Sequence, residues 1–73
     1  MTIQEKIRVL LVRRGNISEA ELARRMGILP QNLSRKMKVG RFTEADLEKI
    51  AGVLDCTVKT ESTFHMNDTG EEI

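Results

Sequence analysis

The stretch from Ser18 to Gly40, SEAELARRMGILPQNLSRKMKVG, constrains the chain most, because it carries start and stop signals for two consecutive short helices. Ser18 is placed to accept from the free backbone N–H groups of an opening turn. Glu21, three residues on, is placed to reach back to the N–H of Ser18, which together make a capping box. Gly27 closes this first helix, since glycine enters the left-handed conformation without a Cβ clash. Pro30 suits the first position of the next helix, where its missing N–H leaves no bond unmade. The second helix is expected from Pro30 to Lys38, and the pair reads as a helix-turn-helix.

Its charge separates this pair from an ordinary helical hairpin. Between Arg24 and Arg41 lie six basic residues (Arg24, Arg25, Arg35, Lys36, Lys38 and Arg41) and no acid, a run suited to a phosphate backbone. Within it Gln31, Asn32, Ser34 and Arg35 are types that hydrogen-bond to base edges: Gln and Asn to adenine, Arg to guanine, Ser to either. Leu33 and Met37, four residues apart, give a narrow apolar stripe that turns the polar face outward. A solvated helix face is the competing reading of such a charge run.

Seventy-three residues make one small domain with a modest core, for which association with a second chain is a reasonable source of stability. With two Phe and no Trp or Tyr, the chain is poorly equipped to stack on single-stranded bases. The net charge of +1 hides an asymmetry. Residues 1–56 hold 11 Lys and Arg against 7 Asp and Glu, whereas residues 57–73 hold 1 against 4. One cysteine excludes an internal disulfide, and no apolar run has the length of a signal peptide or a membrane span, so a cytoplasmic protein is expected, or a nuclear one if the cell has a nucleus.

Upstream, Thr2 to Arg14 places Ile3, Ile7, Leu10 and Leu11 on one helical face, with Gly15 as its stop. Arg8, Arg13 and Arg14 fall on other faces and read as solvated, or as occasional phosphate contacts. Ile17 precedes the Ser18 cap as a hydrophobic staple. Ala20 and Ala23 are small enough for close approach of a neighbouring helix. After Gly40, Phe42 is expected to enter the core as its largest member, and Thr43 opens a fourth helix with Glu44 and Asp46 in its first turn, ending near Leu54-Asp55. The expected core is Ile7, Leu10, Leu11, Leu22, Ala23, Met26, Leu33, Met37, Phe42, Leu47, Ile50, Ala51 and Leu54.

From Thr57 the period changes to two. Val58, Thr60, Ser62, Phe64 and Met66 fall on one face of a strand and Lys59, Glu61, Thr63 and His65 on the other, while Asn67 to Gly70 is a turn signal that lets Glu71 to Ile73 fold back. Two placements of this strand are open: packing Phe64 and Met66 on the bundle, or pairing across a two-fold axis with a second chain through Val58, Thr60, Phe64 and Met66. A mobile acidic tail is the alternative to both. The fold class is thus all-α, four helices in residues 1–56, with a C-terminal strand or short hairpin in residues 57–73.

The run LARRMGILPQNLSRKMKVGRFTEADLEKIAGVLDC resembles the Cro/phage-repressor helix-turn-helix family of bacterial regulators over roughly residues 3–56. The resemblance implies that residues 19–26 support a recognition helix, residues 30–38, laid in the major groove of double-stranded DNA. It implies base contacts from Gln31, Asn32 and Arg35, with Ser34 and Lys38 flanking them, and phosphate contacts from Lys36 and Arg41; Arg24 belongs to the same basic run. The chain departs from the family pattern at Leu29, where members usually carry a Ser or Thr cap, and in a tail that reads as a strand where a fifth helix is common.

Three function classes follow. The first is a transcriptional regulator, a repressor in the family's manner, that binds a palindromic operator as a homodimer. The second is a protein-interaction or antitoxin-like adaptor module that uses the basic face or the C-terminal strand. An enzyme is the weakest, because one His and one Cys offer neither a nucleophile with its base nor metal-ligand spacing, and no cofactor motif is present. His65 reads as a surface residue, Cys56 as a small buried hydrophobe, and Met26, Met37 and Met66 as core filling.

Overall fold

The computed structural model describes residues 1–59 and 63–73. Four helices come first, α1 (Ile3–Arg13), α2 (Glu19–Met26), α3 (Pro30–Val39) and α4 (Glu44–Val53), followed by two strands, β1 (Cys56–Val58) and β2 (Phe64–Met66). Each helix boundary has a local cause. Thr2 and Thr43 head α1 and α4 with complete capping boxes closed by Glu5 and Asp46. Ser18 caps α2 by accepting from the N–H of Glu21 at 3.0 Å, but the reciprocal half of the expected box is not made. The Glu21 carboxylate instead accepts from Arg24 and Arg25.

The apolar periodicity buries one face of every helix in a single core. Ile7, Leu10 and Leu11 of α1 meet Leu22, Ala23 and Met26 of α2, Leu33 and Met37 of α3, and Leu47, Ile50 and Ala51 of α4. Helix α2 packs on both α3 and α4, and Ala23 is fully buried; Ala20, the other small residue expected to admit a neighbouring helix, is exposed. A second correction concerns the largest core residue. Phe42 is half-buried and packs against the core from the loop between α3 and α4, while Phe64 of β2 is fully buried and is the largest side chain of the interior. A loop side chain reaches the core from its rim, whereas a strand held on both sides drives its inward residue to the centre.

The single strand expected over residues 57–66 is instead a pair of three-residue strands. β1 and β2 run antiparallel with Cys56 opposite Met66, Thr57 opposite His65 and Val58 opposite Phe64. The chain then turns again through residues 67–70, and residues 71–73 return along the other side of β2: Phe64 and Ile73 exchange both backbone bonds at 2.9 Å, and the Met66 N–H donates to the Glu71 carbonyl at 2.8 Å. The physical reason is pairing. An isolated long strand leaves both edges unbonded, and two or three short ones satisfy each other. Phe64 and Met66 then lie on the bundle side with Cys56, and the packing alternative for the tail is the one observed. Thr60 and Ser62, expected on the same face, lie outside the described residues.

Ion pairs and hydrogen bonds fix this sheet to the end of the first helix and close the tail on itself. Arg14 donates from Nε to the Leu54 carbonyl at 2.8 Å, from Nη2 to the Asp55 carbonyl at 3.1 Å, and from both terminal nitrogens to Asp68 at 2.8 and 2.9 Å. Arg13 pairs with Glu71, and Lys59 pairs with Glu72 at 3.0 Å. Three of the four acids that make the tail negative are therefore matched internally.

Candidate nucleic-acid interface

The turn between α2 and α3 is built by a glycine in the left-handed region. Gly27 has φ +75°, its N–H donates to the Arg24 carbonyl at 3.1 Å, and the next N–H, of Ile28, donates to Ala23 at 3.0 Å. These two bonds are the Schellman pair that closes a helix and redirects the chain. A Cβ at this position would meet nothing within 4 Å, so the backbone angle alone favours glycine here. Helix α3 then starts at Pro30 behind Leu29, which caps it with no side-chain bond and is exposed.

The α3 faces divide as the spacing predicts. Leu33 and Met37 are buried and hold the helix to the domain. Gln31, Asn32, Ser34, Arg35 and Lys38 are exposed. At 100° per residue, Arg35 lies opposite the Leu33–Met37 stripe, with Gln31, Asn32 and Lys38 beside it. The helix also runs one residue further than expected, to Val39, and Gly40 ends it at φ +78° with its N–H donating to the Lys36 carbonyl at 2.8 Å. Val39 is 62% exposed and joins Arg35, Lys36 and Arg41 around a shallow cleft of about 240 Å³.

The basic residues fall into two groups. Arg35, Lys38 and Arg41 form no ion pair among the described residues. Arg24 and Lys36, both assigned to phosphate from sequence, are paired within the fold. Arg24 shares Glu21 with Arg25, and these two guanidinium groups hold the Glu21 carboxyl down at about 2. Lys36 reaches across to α4 and meets Asp46 at 2.9 Å, where the same carboxylate oxygen accepts from the Thr43 N–H at 3.0 Å. Burial works against the charge on Asp46, yet the Thr43 N–H and the Lys36 ammonium outweigh it and hold its carboxyl below the usual aspartate range. Lys36 is thus a brace between α3 and the head of α4.

The residues considered for a tail contact are differently placed. Phe64 and Met66 are buried in this chain's own core, Val58 is half-buried on edge strand β1, and Thr60 lies outside the described residues. Two roles escaped the sequence reading. The sequence places Arg14 in solvent or on an occasional phosphate, because its carbonyl partners are 40 and 41 residues away in the chain, and Val39 lies outside the expected helix because its apolar side chain sits off the core stripe. Among the described residues no group of three His, Cys, Asp or Glu side chains is arranged to hold a metal ion, and no helix is long and apolar enough to cross a membrane. Cys56 is buried and its thiol is pushed up by that burial, which the nearby Arg14 only partly offsets.

The arrangement is a helix fixed by its inner face, headed by a glycine turn from a supporting helix, with hydrogen-bonding side chains outward and, at its C-terminal end, cations that form no ion pair among the described residues. Neither the curated proteins nor the solved structures include a match to this chain. A family model for the Cro/C1-type helix-turn-helix DNA-binding domain matches residues 6–60, well over half of the sequence. Those residues take in all of α2, the turn, α3, α4 and β1, and the chain belongs to the Cro/C1-type helix-turn-helix DNA-binding domain family.

Proposed function

We propose that this chain is a sequence-specific regulator of transcription that binds double-stranded DNA by laying α3 in the major groove, and that two copies bind a pseudo-palindromic operator with half-sites about 34 Å apart. The observation that carries the reading is the outward face of α3, where Arg35 stands opposite the buried stripe with exposed Gln31 and Asn32 beside it. Those types form bidentate bonds to guanine and adenine edges. Lys38 and Arg41 supply phosphate contacts at the end of the helix, Ser34 flanks the base-reading group, and Arg24 adds a phosphate contact by exchanging its surface pair with Glu21, since exposed pairs are weak. Lys36 contributes through the field of the face, its ammonium being engaged by Asp46.

Two-fold pairing through the tail would use Val58 and the outer edge of β1, because the Phe64 and Met66 side chains are committed to the core. The feature that favours the adaptor reading is the acidic tail with Phe64 and Met66. Both residues are interior, and Asp68, Glu71 and Glu72 meet Arg14, Arg13 and Lys59, so the DNA reading is the better supported.

The test is selection of bound sequences from random duplex DNA at several salt concentrations, with the natural chain and Arg35→Ala. An enriched inverted repeat whose affinity falls steeply with salt is the expected result. Arg35→Ala should relax preference at one position per half-site at a cost of about 1–3 kcal/mol. Absence of binding to any duplex at low salt would reject the proposal.

A further inference from the structure

Among the described residues four large apolar side chains are exposed, Met1, Val12, Leu29 and Val39. Two of them sit on α3, one at each end, and they are not equivalent. Leu29 is the capping residue before the first turn. Val39 is the last residue of the helix and continues the ridge that begins with Asn32 and Arg35, the three being spaced i, i+3 and i+7. At 100° per residue Val39 lies within about 20° of Asn32 around the helix axis and about 40° of Arg35. An apolar side chain therefore stands in line with two side chains suited to base edges, on the face turned away from the core.

Its surroundings narrow what it can meet. Val39 lines the shallow cleft with Arg35, Lys36 and Arg41. Lys36 has its ammonium tied to Asp46, whereas Arg35 and Arg41 form no ion pair among the described residues. A second apolar protein surface laid here would bury two unpaired guanidinium groups at large cost. A polyanion would not, provided that it also offers an apolar group at the depth of the base edges. In the major groove that group is the 5-methyl of thymine, the one apolar feature of the base-pair code.

Resting on the DNA-binding reading above, we infer that Val39 is a specificity-determining residue that takes a thymine 5-methyl group beside the base read by Arg35, with Arg41 on the neighbouring phosphate. The preference for thymine at that position comes from contact with the methyl alone. Deoxyuridine, which pairs identically and lacks only this group, is the matching probe.

The experiment uses the selected operator with each thymine in turn replaced by deoxyuridine, bound by the natural chain and by Val39→Ala. Because Val39 is exposed, its truncation leaves the core intact, and circular dichroism of both proteins checks that. The natural chain should lose about fourfold in affinity at one thymine per half-site, the worth of one buried methyl. Val39→Ala should bind the thymine and deoxyuridine operators alike, and 5-methylcytosine in place of cytosine at that position should recover affinity for the natural chain only. The inference is overturned if no replacement weakens the natural chain, or if Val39→Ala retains the same fourfold loss. Failure to bind any duplex at low salt overturns the DNA reading itself, and this inference with it.

Discussion

Arg14 holds Asp68 across 54 residues of sequence, its two terminal nitrogens 2.8 and 2.9 Å from the carboxylate oxygens, while its Nε stays on the Leu54 carbonyl at the end of α4. One side chain thus satisfies carbonyls left open at a helix terminus and ties down the turn that follows β2. Helix ends need such partners when they are not in water. The Asp68 interaction holds the Arg14 guanidinium more firmly protonated and draws the Asp68 carboxyl below its usual value.

Arg14→Met, which keeps the apolar stem, should lower unfolding stability by about 2 kcal/mol, because hydrogen bonds from a charged donor are among the stronger ones and the one to the Leu54 carbonyl is partly buried. Asp68→Asn should cost far less, since that carboxylate is half exposed and exposed ion pairs contribute little. Urea denaturation of the two variants measures both. Equal losses would mean that the ion pair, and not the carbonyl capping, is what Arg14 contributes.

The opposite roles of neighbouring lysines on α3 give a second test. Lys36→Met should reduce the melting temperature, because the Asp46 carboxylate keeps only the Thr43 N–H, and should change the dependence of DNA affinity on salt less than Lys38→Met does. Lys38→Met should leave melting alone and reduce the slope of log affinity against log salt by about one. A slope change for Lys36→Met equal to that for Lys38→Met would return Lys36 to the phosphate contacts.

These cases mark how much was legible in the chain beforehand. Caps, glycine stops and the i, i+3, i+4 stripes are local signals, and through them all four helices and twelve of the thirteen expected core residues were readable. The thirteenth, Phe42, lost its place to Phe64 because which of two phenylalanines reaches the centre depends on how the strand closes over the bundle. Period two was visible in residues 57–66, but the fold-back within it is a matter of pairing between distant residues, which alternation does not encode. For the same reason Arg14 and Lys36 looked like free surface cations, since their partners Asp68 and Asp46 come from other elements. The outward polar face of α3 was legible because periodicity alone defines it.

Acid should destabilise the fold. Asp46, Asp68 and Glu72 all have carboxyl groups held below their ordinary values, and Glu21 is brought from 4.5 to about 2. A group depressed on folding stabilises fully above its unfolded value and loses that contribution as pH falls through the folded one. For Glu21 the window runs from about pH 4.5 down to about 2. Thermal melts should therefore change little between pH 7 and 5 from these groups and fall progressively below pH 4.5. Glu21→Gln should show a shallower decline, with only a small loss at pH 7 because its pairs are exposed. A decline as steep as that of the natural chain would place the acid sensitivity elsewhere.

Replacing either of the glycines that end α2 and α3 by alanine should lower stability. At Gly27 the Cβ meets open space, so Gly27→Ala should cost only the left-handed backbone, about 1–2 kcal/mol. At Gly40 the backbone is equally left-handed, and the Cβ would also fall within 2.9 Å of Gln4 Cδ on α1. The Gln4 amide is the far end of a flexible side chain that can turn away, so Gly40→Ala should cost little more than Gly27→Ala. Adding Gln4→Ala should then restore little, whereas a double variant clearly more stable than Gly40→Ala would show that the Gln4 amide is held in place.

Leu29 offers a gain instead of a loss. It heads α3 in an extended conformation, φ −71° and ψ 140°, which suits a capping residue, but its side chain accepts no bond and is 58% exposed. Serine in that conformation accepts from an N–H of the first turn, as Ser18 does for α2 from Glu21. Little burial is given up in exchange. Leu29→Ser should raise stability by about 1 kcal/mol, seen as a higher denaturation midpoint with an unchanged slope. If the midpoint does not rise, the Leu29 side chain contributes more through its contact with the turn than its exposure indicates, and the missing cap is compensated there.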